Sequence, residues 1–461
     1  MLSCPKLVRA VIVLALVTSL AVANDAPTPP NPDAEVMPDI GPAILRDWIQ
    51  PEYPAEARKA KAEGTVTVRF VVETDGTVSR ENVGKSSDDR FNEAALAAVR
   101  RWKFKPATED GATIASAMQV KVVFALAQLN QKSVPIYPPQ AQQPVAFKVT
   151  PAKEKGSIDP DYPAELEETK LPGEVHMEFI VNEEGKVEQP RVLWATHPAF
   201  VETSLRAIRR AEFAPAHQGP LPRRSVKRYP VGFESFGAKP ADILAANHLT
   251  IVSQEPPVIL PRPLMLIQPV YPPARYQARE TGSVTAEFVL DEKGRPTHIG
   301  VVAADQPEFG AAMVAAIEAW VFKPAQGDNG PVPVRLRVTH DFAVLSDQPE
   351  YRLAELLKPD GPGISGPAGL DQKVTPLWRG FPAYPQAYKD QPRDGQAQIE
   401  FIIDRNGRSR LPRILSSTDE AFGWAAVTAI SQWVFERPTR DGAPTDIMVR
   451  IPVGFTPPPK E

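Results

Sequence analysis

The sequence predicts an α+β protein made of four copies of one small domain, each a three-stranded antiparallel sheet with two helices on one face. Three observations predict it: aromatic and glycine positions that recur without a gap, a period-two strand closed by a hairpin glycine, and an apolar helical stripe ending on W-x-F-x-P. Tyr-Pro pairs begin at Tyr53, Tyr162, Tyr271 and Tyr384, and a glycine stands eleven residues after each (Gly64, Gly173, Gly282, Gly395). A phenylalanine follows six residues later (Phe70, Phe179, Phe288, Phe401), then a second glycine after six more (Gly76, Gly185, Gly294, Gly407). A helical phenylalanine (Phe91, Phe200, Phe309, Phe422) and a terminal one (Phe124, Phe233, Phe342, Phe455) keep the same register in all four copies. Identical spacing on this scale marks an internal repeat.

Each element has a local reason. Tyr-Pro opens a short helix, as in "YPAEARKAKAEG", because proline is tolerated in a first turn and glycine suits the stop. In the next strand Val66, Val68, Phe70 and Val72 share one face, while Thr65, Thr67, Arg69 and Glu73 share the other. "ETDGT", "NEEGK", "DEKGR" and "DRNGR" then supply glycine where a hairpin needs a positive φ. The second strand passes through Val83, Val192, Val301 or Ile414. A longer helix follows, with Phe91, Ala94, Ala95, Ala98, Val99 and Trp102 on one stripe. The third strand points Met118, Val120, Val122 and Phe124 inward. Tyr53, Phe70, Trp102, Phe104 and Phe124 are thus core markers in the first copy, as are Tyr162, Phe213, Tyr271, Trp320, Phe322, Tyr384, Trp433 and Phe435 in the others. Helices on one sheet face leave the opposite face to water.

The repeats are expected at residues 47–129, 152–237, 263–346 and 373–461. Residues 130–151, 238–262 and 347–372 read as linkers, the first two stiffened by proline and the third more flexible. Residues 1–23 read as a secretory signal: Lys6 and Arg9 precede an apolar run over residues 10–22, and Ala21-Val22-Ala23 offers a small-x-small cleavage site. The acidic stretch 24–46 is expected to be a disordered lead-in.

Composition narrows the function. The 52 basic and 56 acidic residues give a net charge of −4, so nucleic acid is not an expected partner. Cys4 is the sole cysteine and lies in the leader, which excludes disulfides and cysteine metal sites from the mature chain. None of the six histidines (His176, His197, His217, His248, His298, His340) forms a close metal-ligand pair. His176 is expected to face outward on its strand and His340 inward, as a structural histidine. No nucleophile elbow, P-loop or dinucleotide fingerprint occurs, so neither an enzyme nor a cofactor is expected. The basic residues Arg209, Arg210, Arg223 and Arg224 read as a solvated surface, with contact to anionic envelope polymer as the sharper alternative.

The set of Tyr-Pro, glycine-led strand, hairpin glycine, alanine-rich helix and W-x-F-x-P-A resembles the C-terminal domain of TonB, the periplasmic energy transducer of Gram-negative bacteria. That resemblance implies a domain that adds an extended receptor segment to its sheet edge. It further implies envelope proteins as partners, TonB-dependent outer-membrane receptors among them, and inner-membrane motor proteins if the N-terminus stays as an uncleaved anchor. A periplasmic binding protein is therefore the expected function. An anchored energy transducer is the alternative, and a scaffold touching peptidoglycan is a third reading from another class. Departures from the family pattern are the four copies, the cleavable leader, Ala211 at the tryptophan position and Arg437 at the proline position.

Two differences sort the copies alike. The family's Q-P-x-Y-P is matched at Gln50 and Gln268, whereas Asp159 and Phe381 replace the glutamine. In the last strand Pro230 and Pro452 stand where copies one and three have Lys121 and Thr339. Proline in a sheet marks an edge and turns its missing N–H outward. Copies one and three are thus expected to accept a partner strand through Gln50, Gln119, Lys121 and Val123, and through Gln268, Arg337 and Thr339. The competing reading is that proline merely guards an edge against aggregation. The second copy, lacking the tryptophan, is expected to be least stable unless Trp194 fills the space.

Overall fold

The computed structural model of the chain describes residues 40–109, 111–126, 144–234, 237–253 and 255–457. The signal segment, residues 24–39 of the acidic lead-in and most of the first linker lie outside the described residues. The rest of the lead-in is not disordered, because Ile40–Gly41 and Ile44–Asp47 are strands that pair with Thr108 and Glu109 and with Lys103–Lys105. Among the described residues no helix is long and apolar enough to cross a membrane.

Every repeat holds a sheet of three nine-residue strands, with the first strand central. In repeat one these are Gly64–Val72, Val78–Ser86 and Ser116–Phe124. Repeat two has Gly173–Val181, Val187–Ala195 and Ser225–Phe233. Repeat three has Gly282–Leu290, Pro296–Ala304 and Val334–Phe342. Repeat four has Gly395–Ile403, Ser409–Ser417 and Ile447–Phe455. All pairings are antiparallel, and the third strand forms one flank.

The two repeated glycines have separate causes. A Cβ on Gly64 would sit 2.7 Å from the Phe91 ring, and the equivalents at Gly173, Gly282 and Gly395 meet Phe200, Phe309 and Phe422. The hairpin glycine adopts positive φ, +82° at Gly76, and a Cβ there would lie 2.1 Å from the Phe104 carbonyl oxygen. Phe104 N–H returns a hydrogen bond to Gly76 O at 2.9 Å, and Phe213, Phe322 and Phe435 do the same to Gly185, Gly294 and Gly407.

Several expectations need correction. The Tyr-Pro helix exists as Ala55–Lys59 and Pro273–Gln277, but in repeats two and four it is only a 3₁₀ turn, Ala164–Leu166 and Gln386–Tyr388. Lys61, Lys170 and Arg279 leave the first three in the left-handed region. In repeat four that position is Pro392, whose ring forbids it. The linkers are not bare spacers: residues 238–262 carry the helix Pro240–Ala246 and the strand Leu249–Ile251, and residues 347–372 carry the helix Pro349–Leu356. Nor is every outer sheet face wet. In repeat four Glu400 and Ile402 are buried, lining a small cavity with Tyr276 and Leu357.

His176 is also buried rather than open, its ring 5.3 Å edge-on from Trp194 and its Nε2 2.6 Å from Glu174 Oε1. Trp194 pairs with His176, while Val192 pairs with Met177 of the helix-facing row. Trp194 therefore lies on the sheet face opposite the helices and cannot fill the space left by Ala211.

Repeat one has its own apolar core. Repeats two, three and four share one continuous core that also takes in Ile243, Leu244 and Leu249 of the second linker.

Candidate strand-docking edges

The site begins at the end of the long helix. Trp102 Nε1–H donates to the Ile49 carbonyl at 2.9 Å, Trp320 to Ile267 at 2.8 Å and Trp433 to Gly380 at 2.9 Å. Each indole thereby pins the residue directly before Gln50, Gln268 or Phe381. A short strand upstream adds a second hold, Ile44–Asp47 pairing with Lys103–Lys105 and Arg262–Met265 with Val321–Lys323. Downstream, Tyr271 Oη–H donates to Glu280 O at 2.6 Å, and Tyr53, Tyr162 and Tyr384 close the same nine-residue loop. Burial, with Glu280 adding to it, raises the Tyr271 pKa and keeps the hydroxyl a donor.

Gln268 is exposed and Gln50 half-buried. Among the described residues neither amide has a hydrogen-bond partner, so no bond joins either to the third strand.

The other predicted residues share two edges. Val252 N–H donates to Arg335 O at 2.9 Å, so the backbone polar groups of Arg335 point off the sheet. Strand alternation gives Arg337 and Thr339 the same direction. In repeat one Phe147 N–H donates to Ala117 O at 3.0 Å, which sets Gln119, Lys121 and Val123 likewise. Lys121 stands opposite Thr67 and Thr339 opposite Thr285; Pro230 and Pro452 hold the same register opposite His176 and Gln398. The two prolines therefore remove a donor that would face a partner strand.

Both proline-free edges already carry a strand of the chain itself. Val145–Ala146 pairs antiparallel with Gln119 and Met118, and Leu249–Ile251 with Val338, Arg337 and Leu336. Among the described residues the prolyl strands have no paired fourth strand; in repeat four Met448 N–H donates to Ser365 O at 2.9 Å.

Electrostatics on the outer sheet face escaped the sequence reading. Glu287 accepts from Arg337 Nε at 2.9 Å, Glu178 lies between Arg191 and Arg228, and Glu400 lies between Arg413 and Arg450. Burial pushes Glu178 up, but hydrogen bonds from Arg191 and Arg228 overcome it and leave the carboxyl below its ordinary range. Alternating positions hinted at this ladder: the central-strand glutamate recurs in copies two to four, and repeat one has Arg69 there. His340 takes the inward direction, 4.8 Å from the Phe342 ring, and burial lowers its pKa to about 4. Among the described residues no group of three or more His, Cys, Asp or Glu side chains is placed to hold a metal ion.

The sequence matches the family Gram-negative bacterial TonB protein C-terminal at residues 49–126, 158–234, 267–344 and 381–457. It is similar to the protein TonB of Vibrio cholerae, 31% identical over 86 residues, which are 18% of this chain and 35% of that protein. It is also similar to TonB of Xanthomonas campestris, 37% identical over 92 residues (19% of this chain, 41% of that protein). The tonB2 protein of Pseudomonas aeruginosa is 45% identical over 67 residues, 13% of this chain and 25% of that protein. The chain thus spans well under half the length of these relatives. Among solved structures, the solution structure of the Pseudomonas aeruginosa TonB C-terminal domain is similar at 22% identity and a TM-score of 0.17, over 22% of this chain and 97% of that one. With four matched segments covering more than half of its length, the chain belongs to the TonB C-terminal family and carries four of its domains in tandem.

Proposed function

We propose that the chain is a periplasmic TonB-family binding protein whose sheet edges in repeats one and three take up extended segments of envelope proteins, TonB-dependent outer-membrane receptors among them. The observation that carries this reading is that, among the described residues, these two edges and not the prolyl ones hold an added antiparallel strand. An edge strand has backbone donors and acceptors that a partner strand satisfies, and side chains such as Arg337 and Thr339 supply selectivity. Each hydrogen bond so formed contributes about 0.5–1.5 kcal/mol.

The test is titration of the full chain with a synthetic peptide bearing the N-terminal extended segment of an outer-membrane receptor. Two binding events are expected. Lys121→Pro or Thr339→Pro removes one, and the double variant removes both. Unchanged stoichiometry in the double variant overturns the reading.

Family membership favours a second reading, an inner-membrane-anchored energy transducer. The two separate on the N-terminus of the mature protein: Asn24 as first residue, in the soluble periplasmic fraction, excludes the anchor.

A further inference from the structure

The strand Leu249–Ile251, with Val252 and Ser253 continuing it, lies where a partner strand would lie on repeat three. Leu249 stands opposite Val338, Thr250 opposite Arg337 and Ile251 opposite Leu336. Val252 N–H donates to Arg335 O at 2.9 Å, and Ser253 Oγ accepts from Arg335 N–H at 2.8 Å. The opposite end of the ladder is the Leu249–Val338 pair, and Thr339, the position of the proline in repeats two and four, lies just beyond that end.

We propose that residues 249–253 act as a tethered pseudo-ligand, which an incoming extended segment must displace to use the whole edge of repeat three; this rests on the docking reading above. The cap is anchored at its leading end. Its leading helix, Pro240–Ala246, buries Ile243 and Leu244. His248 makes the turn with φ +56°. Asn247 Nδ2 donates to Thr169 O at 3.0 Å, which ties the turn to repeat two. Only Leu249 of the cap strand is fully buried, while Ile251, Val252 and Ser253 are partly exposed. The far half of the cap thus rests chiefly on its ladder bonds, the kind of interaction that a second strand replaces one for one.

This arrangement makes binding competitive. A tethered strand competes at a high effective concentration, and the apparent affinity of an external strand falls by the fraction of edges left open. Displacement would also release the segment that Asn247 joins to repeat two, so occupancy of repeat three bears on the link between the repeats.

The experiment uses the full chain with Lys121→Pro, which silences repeat one, and the receptor-segment peptide as probe. Val252→Pro removes the donor to Arg335 O and loosens the cap. Paired Leu249→Cys and Val338→Cys, on facing residues in a chain whose only other cysteine is Cys4, lock it when oxidised. Loosening is expected to tighten binding about tenfold, the worth of one strong or two ordinary hydrogen bonds. Oxidation is expected to weaken binding by at least about tenfold on the same scale, with recovery on reduction. In the uncrosslinked protein, saturating peptide should abolish hydrogen-exchange protection of the Val252 amide. Equal affinity in the loosened, locked and uncrosslinked proteins overturns the cap and leaves docking intact. Absence of binding in all three, the loosened form included, overturns docking and the cap with it.

Discussion

The indole of Trp102 does two separable things: its ring fills the end of the helical stripe, and its N–H holds the Ile49 carbonyl. Trp102→Phe keeps most of the apolar volume and loses the bond, so unfolding free energy should fall by about 1 kcal/mol. Trp102→Ala also opens a cavity in the separate core of repeat one, and should cost about 3–5 kcal/mol in denaturant titration. If the two variants lose equally, the indole bond is the main contributor and the packing account fails. Gly76 is constrained twice over, by φ +82° and by the Phe104 carbonyl 2.1 Å from any added Cβ. Gly76→Ala should therefore disrupt the hairpin. Both contacts recur with a fixed sequence separation in other repeats, so recurrence identified the residues while their hydrogen-bond partners, far away in the chain, stayed invisible.

Among the elements, the nine-residue strands were legible because one face is apolar and period two has a single solution on a half-buried sheet. The two- to four-residue strands before each Tyr-Pro were not. They contain too few apolar positions for a pattern, and they form because the strand opposite, through Phe104, Phe213, Phe322 or Phe435, offers backbone partners. The same holds for the cap over residues 249–253. Proline at the edge remains testable in the reverse sense. Pro230→Lys restores the outward donor, and a third peptide-binding event is expected. If proline serves only as a guard against association, the variant instead gains concentration-dependent self-association in sedimentation, with no added binding.

At the scale of the whole molecule, titrating groups sit where repeats meet. Glu318 of repeat three accepts from Gln386 N–H of repeat four at 2.8 Å, and burial pushes its pKa up to about 7 against that bond. An acid raised in the folded state contributes fully below its ordinary value near 4.5 and loses that contribution as pH rises through about 7. His197 of repeat two runs the other way: burial, helped by Arg408 of repeat four, lowers it to about 3, while its Nδ1 accepts from Ala199 N–H. That stability is complete above the ordinary value of 6.5 and drains as pH falls toward 3. Glu318→Gln should raise the denaturation midpoint at pH 8 and leave it unchanged at pH 4. His197→Asn, which keeps an acceptor for Ala199, should raise the midpoint at pH 5 and leave it unchanged at pH 8. Midpoints that move equally at both ends of the range would refute the assignment.

The sequence by itself determined the four copies, the strands and long helix of each, the core aromatics and the division of third strands by proline, because these follow from local periodicity, turn chemistry and repeated spacing. Tertiary structure alone decided that repeats two to four share a core, that a linker strand lies on the edge of repeat three, and that Trp194 and His176 face away from the helices. Those outcomes rest on which donors and apolar faces meet between separate elements and separate repeats. Distance along the chain carries no trace of such meetings.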